Sequence, residues 1–363
     1  MKKNILCLLI LGFLLAGCKA RPAEAQYPSV TPEETYVRLT EATGSAEETQ
    51  PEKTGEERFL LTFTGDNTLG CGVNYIGTDL SFQTLAGEDY SYPYKNVVSY
   101  FRSDDATFAN LEGPLTDTGF PAQKKHAFSG PESYVNMLSE NSVDFVSLAN
   151  NHSQDYGKEG YANTQKVLKE KNIPFVERDQ ATLLTLDRGL TIGVYGVVYY
   201  RIDEQELCAA VEKLKKQADL VIVAAHWGSE GSYHPHREQI SLAHAAIDAG
   251  ADIVWGHHPH VLQNMEKYKD GIICYSLGNF SFGGYTYPGD FDTALVQIEV
   301  IKDAGGNVSL GEVTAVPCSV SSREDYNNYQ PTPLPKGSEA YERVVSKLDG
   351  SYDGPTLTIN KQA

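Results

Sequence analysis

The sequence predicts an α/β layered domain with a central sheet, and three observations support this prediction. From residue 58 onward, short apolar runs alternate with stretches in which apolar residues recur at helical spacing. Several of the apolar runs end in a polar loop, which is where open α/β sheets carry their chemistry. The chain has 363 residues, 41% of them apolar, so it is long enough to bury one large core or two small ones.

The first 17 residues have the composition of a secretory signal. Lys2 and Lys3 precede an apolar run over 5–15 that is too short for a comfortable membrane span, and Leu-Ala-Gly-Cys follows at 15–18. These four residues look like the lipobox of bacterial lipoproteins. We therefore expect cleavage after residue 17, a lipid on Cys18 and localisation at the extracytoplasmic face of the cell membrane. An ordinary cleaved signal or an N-terminal anchor is the alternative.

Residues 18–57 are rich in Glu, Thr, Pro, Ala and Ser and contain almost no large apolar side chain. Such a stretch cannot bury enough surface to offset the entropy of ordering, so we predict a disordered tether. The formal net charge of the chain is -18, and it becomes -20 when residues 1–17 are removed. Because no basic block offsets this charge, nucleic acid and anionic lipid head groups are poor candidate partners.

The folded domain is predicted over 58–350, followed by a C-terminal tail over 351–363. Apolar runs predict strands at 58–65, 143–148, 190–198, 220–225, 253–255 and 272–275. Helical spacing predicts helices over 158–171, 203–217 and 237–249. In the last third, β-type alternation over 293–301 and 308–316 flanks a turn at 303–307, which predicts a hairpin. Ser338 is a plausible N-cap of a short helix over 338–348.

The stretch from Trp255 to Val261 contains three imidazoles, at His257, His258 and His260. In an extended segment, side chains at i and i+2 share a face, so His258 and His260 are expected to converge while His257 points away. Two convergent imidazoles after a buried strand indicate metal ligands. A pair of surface or core histidines with satisfied hydrogen bonds is the alternative.

Polar side chains that suit a divalent cation recur at the ends of five apolar runs. They are Asp66, then Asn110 and Glu112, then Asn150, Asn151 and His152, then His226, and finally His257 to His260. Turn chemistry alone can explain an Asp after a Gly, as at Asp66. Five such strand ends are difficult to explain as independent turns.

Carboxylate, amide and imidazole ligands together favour Mn, Fe or Zn over an all-oxygen calcium site. Their number exceeds what one tetrahedral zinc needs, and it fits two divalent cations that share a bridging carboxylate, a recurring hydrolytic device. His152 could then protonate a leaving group. No thiol belongs to the set. The spacing of Cys71, Cys208, Cys274 and Cys318 fits no zinc or redox pattern, so we expect buried apolar residues, although an exported protein could pair some of them.

Taken in order, these motifs resemble the CapA family of bacterial capsule or poly-γ-glutamate synthesis proteins, relatives of the calcineurin-like metallophosphoesterases. The resemblance extends over about 59–350 and is specific because of the combination rather than any single motif. The motifs that carry it are Gly65-Asp66, Asn110-Leu111-Glu112, Ala149 to His152 with Asp155-Tyr156-Gly157, His226-Trp227-Gly228 with Glu230, Leu242 to Asp252, His258-Pro259-His260-Val261 and Tyr275 to Phe280.

The resemblance implies a four-layer α/β/β/α metallophosphatase-like sandwich with a dimetal centre at the strand ends. By position, Asp66 and His260 would bind one metal, Asn151, His226 and His258 would bind the other, and Glu112 would bridge them. His152 would take the place of the catalytic histidine. The sequence departs from the phosphoesterase pattern at two points: Asn67 and Thr68 follow Asp66 where those enzymes have Asp-x-His, and Glu112 stands where they usually have Asp.

The leading functional interpretation is a surface-anchored, metal-dependent hydrolase-like protein that acts on an extracellular polymer such as poly-γ-glutamate. A non-catalytic accessory that binds the polymer through its metal site, and a metal-dependent phosphoesterase, are the alternatives. Membrane polymer synthase subunits are further candidate partners. Since the protein itself is acidic, bound cations or Lys124 and Lys125 would have to attract a polyanion, although these could equally be two solvated lysines. Lys125 is the candidate substrate contact.

Overall fold

The computed structural model describes residues 37–38, 55–199 and 202–358. The predicted signal at 1–17 and the predicted lipid site, Cys18, lie outside the described residues. The strands are β1 Val37–Arg38, β2 Glu57–Thr68, β3 Cys71–Gly72, β4 Ala106–Leu111, β5 Phe128–Ser129, β6 Phe145–Ser147, β7 Phe175–Val176, β8 Ala181–Thr185, β9 Thr191–Val198, β10 Leu220–His226, β11 Ile253–His257, β12 Met265–Tyr268, β13 Gly271–Cys274, β14 Asn279–Phe282, β15 Asp292–Lys302, β16 Val308–Ser319 and β17 Thr332–Pro333. The helices are α1 Phe82–Ala86, α2 Val98–Phe101, α3 Val135–Ser139, α4 Gly157–Glu170, α5 Glu204–Leu214, α6 Arg237–Asp248 and α7 Glu339–Leu348.

Two large sheets organise the domain. The first has the order β1-β16-β15-β2-β4-β6-β7, with β14 beside β2 and β17 beside β16, and the second has the order β12-β13-β11-β10-β9-β8. Strands β2, β4, β6 and β7 run parallel to one another, as do β9, β10, β11 and β13. The carboxyl ends of parallel neighbours meet at one edge of each sheet, which brings residues distant in sequence together.

Three apolar layers separate four layers of secondary structure. The middle layer lies between the two sheets and includes Phe63, Phe108 and Trp255, whose rings pack 5.0 to 6.1 Å apart. A second layer lies between the first sheet and α1 to α4, and a third lies between the second sheet and α5 and α6. The predicted four-layer α/β/β/α sandwich is therefore confirmed. Helix α7 adds Tyr341, Val344 and Leu348 to the edge of the middle layer.

The predicted helices agree with the structure to within a few residues, and their ends have local causes. Ser338 is the N-cap of α7, and its side chain accepts a hydrogen bond from Tyr341 N. Asp203 caps α5 in the same way. The predicted hairpin is formed by β15 and β16. Apolar residues at helical spacing bury one face of each helix, which is why periodicity located them.

The two sheets are joined directly below the strand ends that carry the polar residues. Trp255 on β11 donates its indole N–H to the carbonyl oxygen of Thr64 on β2 at 2.9 Å. Asp66 N donates to Gly278 O at 2.8 Å, and a Cβ added at Gly65 would lie 2.1 Å from the same oxygen. This close backbone approach requires glycine at 65. It also fixes the position of Asp66 relative to the two sheets.

Two segments outside the predicted domain over 58–350 contact it. Val37–Arg38, within the stretch predicted as a tether, pair antiparallel with Ala315 and Thr314 of β16. Leu357, in the predicted tail, donates its N–H to Gly231 O at 2.9 Å. Across the described ranges, no helix has the length and apolar character needed to cross a membrane.

The cysteines follow the expectation in part. Cys71, Cys274 and Cys318 are buried, whereas Cys208 is only half-buried. All four are free thiols, so no disulfide links cysteines within the described part of the chain.

Candidate metal centre

Asp66 lies at the centre of the polar cluster, near the carboxyl end of β2. It is fully buried, and its neighbours in the sheet are Asn110 on β4 and Asn279 on β14. Asn110 donates its side-chain amide to Asp66 Oδ1 at 2.8 Å. The adjacent strands therefore hold this carboxylate in one orientation.

Two imidazoles contact Asp66 from the second sheet, and one of them contradicts the sequence-based expectation. His257 Nδ1 lies 3.1 Å from Asp66 Oδ1, and His260 Nδ1 lies 3.3 Å from Asp66 Oδ2. The expectation that His257 points away was wrong because the segment is not extended: φ is 96° at His258 and 57° at His260. His257, the last residue of β11, shares the inward face with Trp255, and their rings lie 4.4 Å apart.

Glu112 follows β4 and is fully buried between three imidazoles. Its Oε1 lies 3.8 Å from His226 Nε2, 3.9 Å from His260 Nε2 and 3.9 Å from His152 Nε2. Glu112 thus faces residues from both sheets, a position from which a carboxylate could bridge two cations.

Asn151, His226 and His258 form the part of the cluster nearest to β9 and β10. Asn151 Oδ1 and His226 Nε2 are 2.8 Å apart, and the His226 ring centroid lies 4.7 Å from that of His258. Tyr199 stacks on the outer side of His258 at 4.6 Å and an angle of 20°. The aromatic ring shields this imidazole from solvent and restricts its orientation.

Two groups of donor atoms are close enough to hold divalent cations. One consists of Asp66, Glu112 and His226, and the other consists of Glu230, His258 and His260, with the atoms of each group within 4.8 Å of one another. Carboxylate and imidazole donors in these proportions suit Mn, Fe or Zn. Two carboxylates buried in one cluster also call for balancing positive charge, which a cation would supply. The residues present therefore fit divalent metal.

This grouping differs from the division implied by the resemblance, because His260 and His258 share one group. It also includes Glu230, which the sequence indicates only as part of a motif. The signal that could have identified it is its position four residues after the end of β10, between Gly228 and Gly231. A carboxylate shortly after a strand end was the criterion already applied to Asp66 and Glu112.

The electrostatics of the cluster keep two of the donors, Asp66 and His226, in the form that binds metal. Burial raises the pKa of Asp66, but the hydrogen bonds to His257 and His260 outweigh it and hold that pKa well below its usual range. Burial, together with His258, lowers the pKa of His226 well below its usual value, so His226 is neutral. Burial also lowers the pKa of His260, but Glu112 and Asp66 outweigh it and raise the pKa to about 9. A cation at His260 would have to displace that proton.

His152 and Asp155 form a pair beside the donor groups. His152 Nδ1 lies 2.7 Å from Asp155 Oδ2, which also accepts a hydrogen bond from Phe128 N at 2.7 Å, and Phe128 packs on the imidazole at 4.5 Å. Burial lowers the pKa of His152, and the carboxylate of Asp155 acts in the opposite direction. With Nδ1 held by Asp155, Nε2 is the nitrogen that faces Glu112.

Of the two adjacent lysines, Lys124 rather than Lys125 reaches this pair. Lys124 forms an ion pair with Asp155, and its Nζ donates to Asn151 O at 3.2 Å. Lys125 is exposed on the same loop. Asn279, which was not selected from sequence, lies with its Oδ1 2.9 Å from His260 Nδ1 and orients that ring.

The layers and the buried cluster of carboxylates, imidazoles and an amide define the class of protein: an α/β/β/α sandwich with a candidate metal centre between its two sheets. Within that class, the chain belongs to the family described as bacterial capsule synthesis protein PGA_cap, whose family model matches residues 60–284. This confirms the resemblance stated from the motifs.

Curated relatives agree with the family assignment. The chain is 33% identical over 305 residues to the capsule biosynthesis protein CapA of Bacillus anthracis, an alignment that covers 75% of this chain and 69% of the relative. It is 30% identical over 331 residues to the PGA biosynthesis protein CapA of Bacillus subtilis, covering 84% and 81% of the two chains. A probable polyglutamine synthesis accessory protein of Mycobacterium tuberculosis is 26% identical, with 53% and 60% covered.

The solved structures that this chain matches include a nucleotidase and a phosphatase. The NAD nucleotidase of Haemophilus influenzae matches with a TM-score of 0.41 at 12% identity, over 85% of this chain and 65% of the other. A purple acid phosphatase from yellow lupin seeds matches with a TM-score of 0.33 at 10% identity, over 83% and 57%.

Proposed function

We propose that this protein is a surface-anchored, metal-dependent hydrolase-like protein acting in the synthesis, export or processing of capsular poly-γ-glutamate. The observation that carries the proposal is the position of the His152–Asp155 pair, with its free edge 3.9 Å from Glu112 and directly beside two groups of metal-type donors. A site that only binds cations does not require a further imidazole outside the donor groups. It also does not require a carboxylate to orient such an imidazole.

In this proposal the ligands of two divalent cations of the Mn, Fe or Zn type come from both sheets. They are Asp66, Glu112, Asn151, His226, His258 and His260. When bound, such cations supply Lewis-acid chemistry that activates water and stabilises negative charge on the attacked group. Asp66 and Glu112 contribute the negative charge that attracts the cations. Asn110 orients Asp66 and Asn279 orients His260 through side-chain hydrogen bonds.

His152 is proposed as the general acid. Asp155 accepts a hydrogen bond from Nδ1–H and so fixes the tautomer in which Nε2 can exchange a proton with a leaving group. Lys124 limits the negative charge that Asp155 presents to the ring. Burial of His152 and Phe128 excludes water from the opposite face of the imidazole.

The surface beside Asn151 suits a chain-like substrate. A cleft of about 680 Å³ opens there. Its polar lining includes four amides, one guanidinium and one carboxylate: Asn150, Asn151, Gln154, Gln180, Arg178 and Glu177. Amide side chains can hydrogen-bond the amides of a polyamide, and Arg178 can pair with a side-chain carboxylate. Lys125, exposed near the cluster, is proposed as a further contact for the anionic polymer.

Anchoring is part of the proposal. A lipid on Cys18 would hold the domain at the extracytoplasmic face of the membrane, close to membrane subunits that synthesise the polymer. The tether after Cys18 would allow the domain to reach the emerging chain.

A non-catalytic accessory role is the second candidate, favoured by the name of the Mycobacterium tuberculosis relative and by the first strand. Thr68 stands where the phosphoesterases carry a histidine, and its hydroxyl donates to Glu112 O at 2.6 Å instead of facing the donor groups. In this case the cations would bind polymer carboxylates without cleavage.

One assay separates these functions. The purified protein is loaded with Mn²⁺, Fe²⁺ or Zn²⁺, its metal content is measured, and turnover is followed on γ-linked glutamyl oligomers and on p-nitrophenyl phosphate. We expect metal-dependent cleavage of the oligomers, reduced about 10²–10⁴-fold by His152→Ala with metal content unchanged. Turnover of the phosphoester alone would favour a phosphoesterase. No turnover, with polymer binding that His152→Ala leaves unaltered, would favour the accessory role.

A further inference from the structure

We infer that Glu230 is a metal ligand, which together with His258 and His260 holds one of the two divalent cations. The inference rests on the proposed function, since it assigns one more ligand to the same cations. It concerns a residue outside the ligand set given above.

The first strand offers no substitute ligand near Asp66. The Asn67 side chain donates to Gly65 O at 2.8 Å and accepts from Tyr94 OH at 3.1 Å, so it is turned into the core. The Thr68 hydroxyl is used by Glu112 O. The pair of cations therefore has one donor fewer than the Asp-x-His pattern would supply, unless another element contributes one.

The loop after β10 brings a carboxylate to the side of the cluster that carries His258 and His260. Gly231 N donates to Pro259 O at 2.8 Å, and this single bond ties the residue after Glu230 to the residue between the two histidines. Gly228 and Gly231 adopt φ of 82° and 76°, a conformation that favours glycine and turns the loop back toward the strand ends. Glu230 is thereby set opposite His258 and His260.

Several hydrogen bonds restrain the loop that carries Glu230. The Gln263 side-chain amide donates to Ser232 O at 2.8 Å and also bonds to Gln239, at the start of α6. Leu357 N donates to Gly231 O. Glu230 is half-buried, and its ligand oxygen lies within 4.8 Å of nitrogens of both histidines. A carboxylate in an exposed, unrestrained loop would lack these constraints.

The test compares Glu230→Gln, which keeps the shape and removes the charge, with Glu230→His, which restores a metal-binding group. Glu238→Gln is the matched control, because Glu238 is exposed on α6 in the same region. Each protein is loaded with Mn²⁺, desalted and analysed for metal content, and Mn²⁺ affinity is measured by calorimetric titration. A thermal melt without metal checks that each variant is folded.

We expect Glu230→Gln to retain about one equivalent of Mn²⁺ where the wild type and Glu238→Gln retain about two. Because removing a direct ligand costs at least as much as removing an outer partner, the weaker Kd should rise at least about tenfold. Glu230→His should recover most of the second equivalent.

The outcomes distinguish this inference from the proposed function. Two equivalents with unchanged affinity in Glu230→Gln overturn the assignment of Glu230, and so does an equal loss in Glu238→Gln. A wild type that binds no Mn²⁺ overturns the metal site and Glu230 together. If the wild type binds two equivalents, Glu230→Gln binds one, and neither turns over any substrate, the ligand assignment stands and the hydrolase function fails.

Discussion

Asp155→Asn tests how the His152 imidazole is positioned, with almost no change in side-chain shape. In the native protein, Asp155 Oδ2 accepts from Phe128 N at 2.7 Å and lies 2.7 Å from His152 Nδ1, while Oδ1 pairs with Lys124. If the Asn oxygen takes the place of Oδ2, it can keep both hydrogen bonds but loses their ionic character. Its NH₂ group then faces the ammonium of Lys124, so two donors meet.

The magnitude follows from these three contacts. A hydrogen bond to a charged group contributes about 1.5–3 kcal/mol and a neutral one about 0.5–1.5 kcal/mol, so two such bonds lose about 2–3 kcal/mol of stability together. The Lys124 side chain is 37% exposed, so its ion pair adds at most about 1 kcal/mol. The free energy of unfolding should therefore fall by about 2–4 kcal/mol.

The effect on turnover comes from the ring rather than from the metal. Loss of a partner that orients a functional imidazole typically costs about 10–100-fold, so we expect a decrease of that size with metal content unchanged. Since burial lowers the pKa of His152 and Asp155 opposes this, the pKa should fall further in the variant. His152→Ala and the double variant should have equal rates, because Asp155 acts through His152.

Urea unfolding measures the stability change, and turnover of the best substrate at several pH values measures the rate and the pKa. Additive losses in the double variant would show that Asp155 acts independently of His152. A stability change below about 0.5 kcal/mol would show that the contacts of Asp155 are energetically unimportant. Either result would refute the positioning role.

Three further predictions concern other parts of the chain. Cys18→Ser should release the protein from the membrane fraction or leave its signal uncut; a processed variant that remains in the membrane fraction would exclude lipidation. His257→Ala should weaken Mn²⁺ binding about 10–100-fold because it removes an orienting contact to Asp66, and an unchanged calorimetric Kd would contradict this. Burial raises the pKa of Asp104 to about 7, so ionisation destabilises the folded protein increasingly as pH rises from about 4 toward 7. Asp104→Asn should match the wild type near pH 4 and exceed it by up to about 4 kcal/mol above pH 7, and equal stabilities in urea at pH 8 would refute the burial effect.

The sequence by itself determined the class of fold and the positions of most elements. Periodicity is a local property, so apolar spacing was sufficient to locate α4, α5, α6 and α7 to within a few residues. Short elements with little periodicity were not predicted: examples are α1, β8 and β14. β14 consists of four residues whose strand character depends on pairing with β2, which no local pattern reveals.

The sequence also indicated which residues carry suitable donor atoms, because polar groups directly after apolar runs lie at the carboxyl ends of strands. Asp66, Glu112, His226 and His260 were found in this way, and the structure brings them into one buried cluster. Chain order was enough for this step, since parallel strands place all their carboxyl ends at the same edge.

Only the tertiary structure decided how those donors are grouped and which neighbours join them. The direction of His257 depends on positive φ values in the following loop, and the place of Glu230 depends on a backbone bond between two loops. The position of Asp155 determines that Lys124, and not Lys125, forms the ion pair beside His152. Each of these outcomes is fixed by side-chain direction and by contacts between segments far apart in the chain, and composition and spacing carry no information about either.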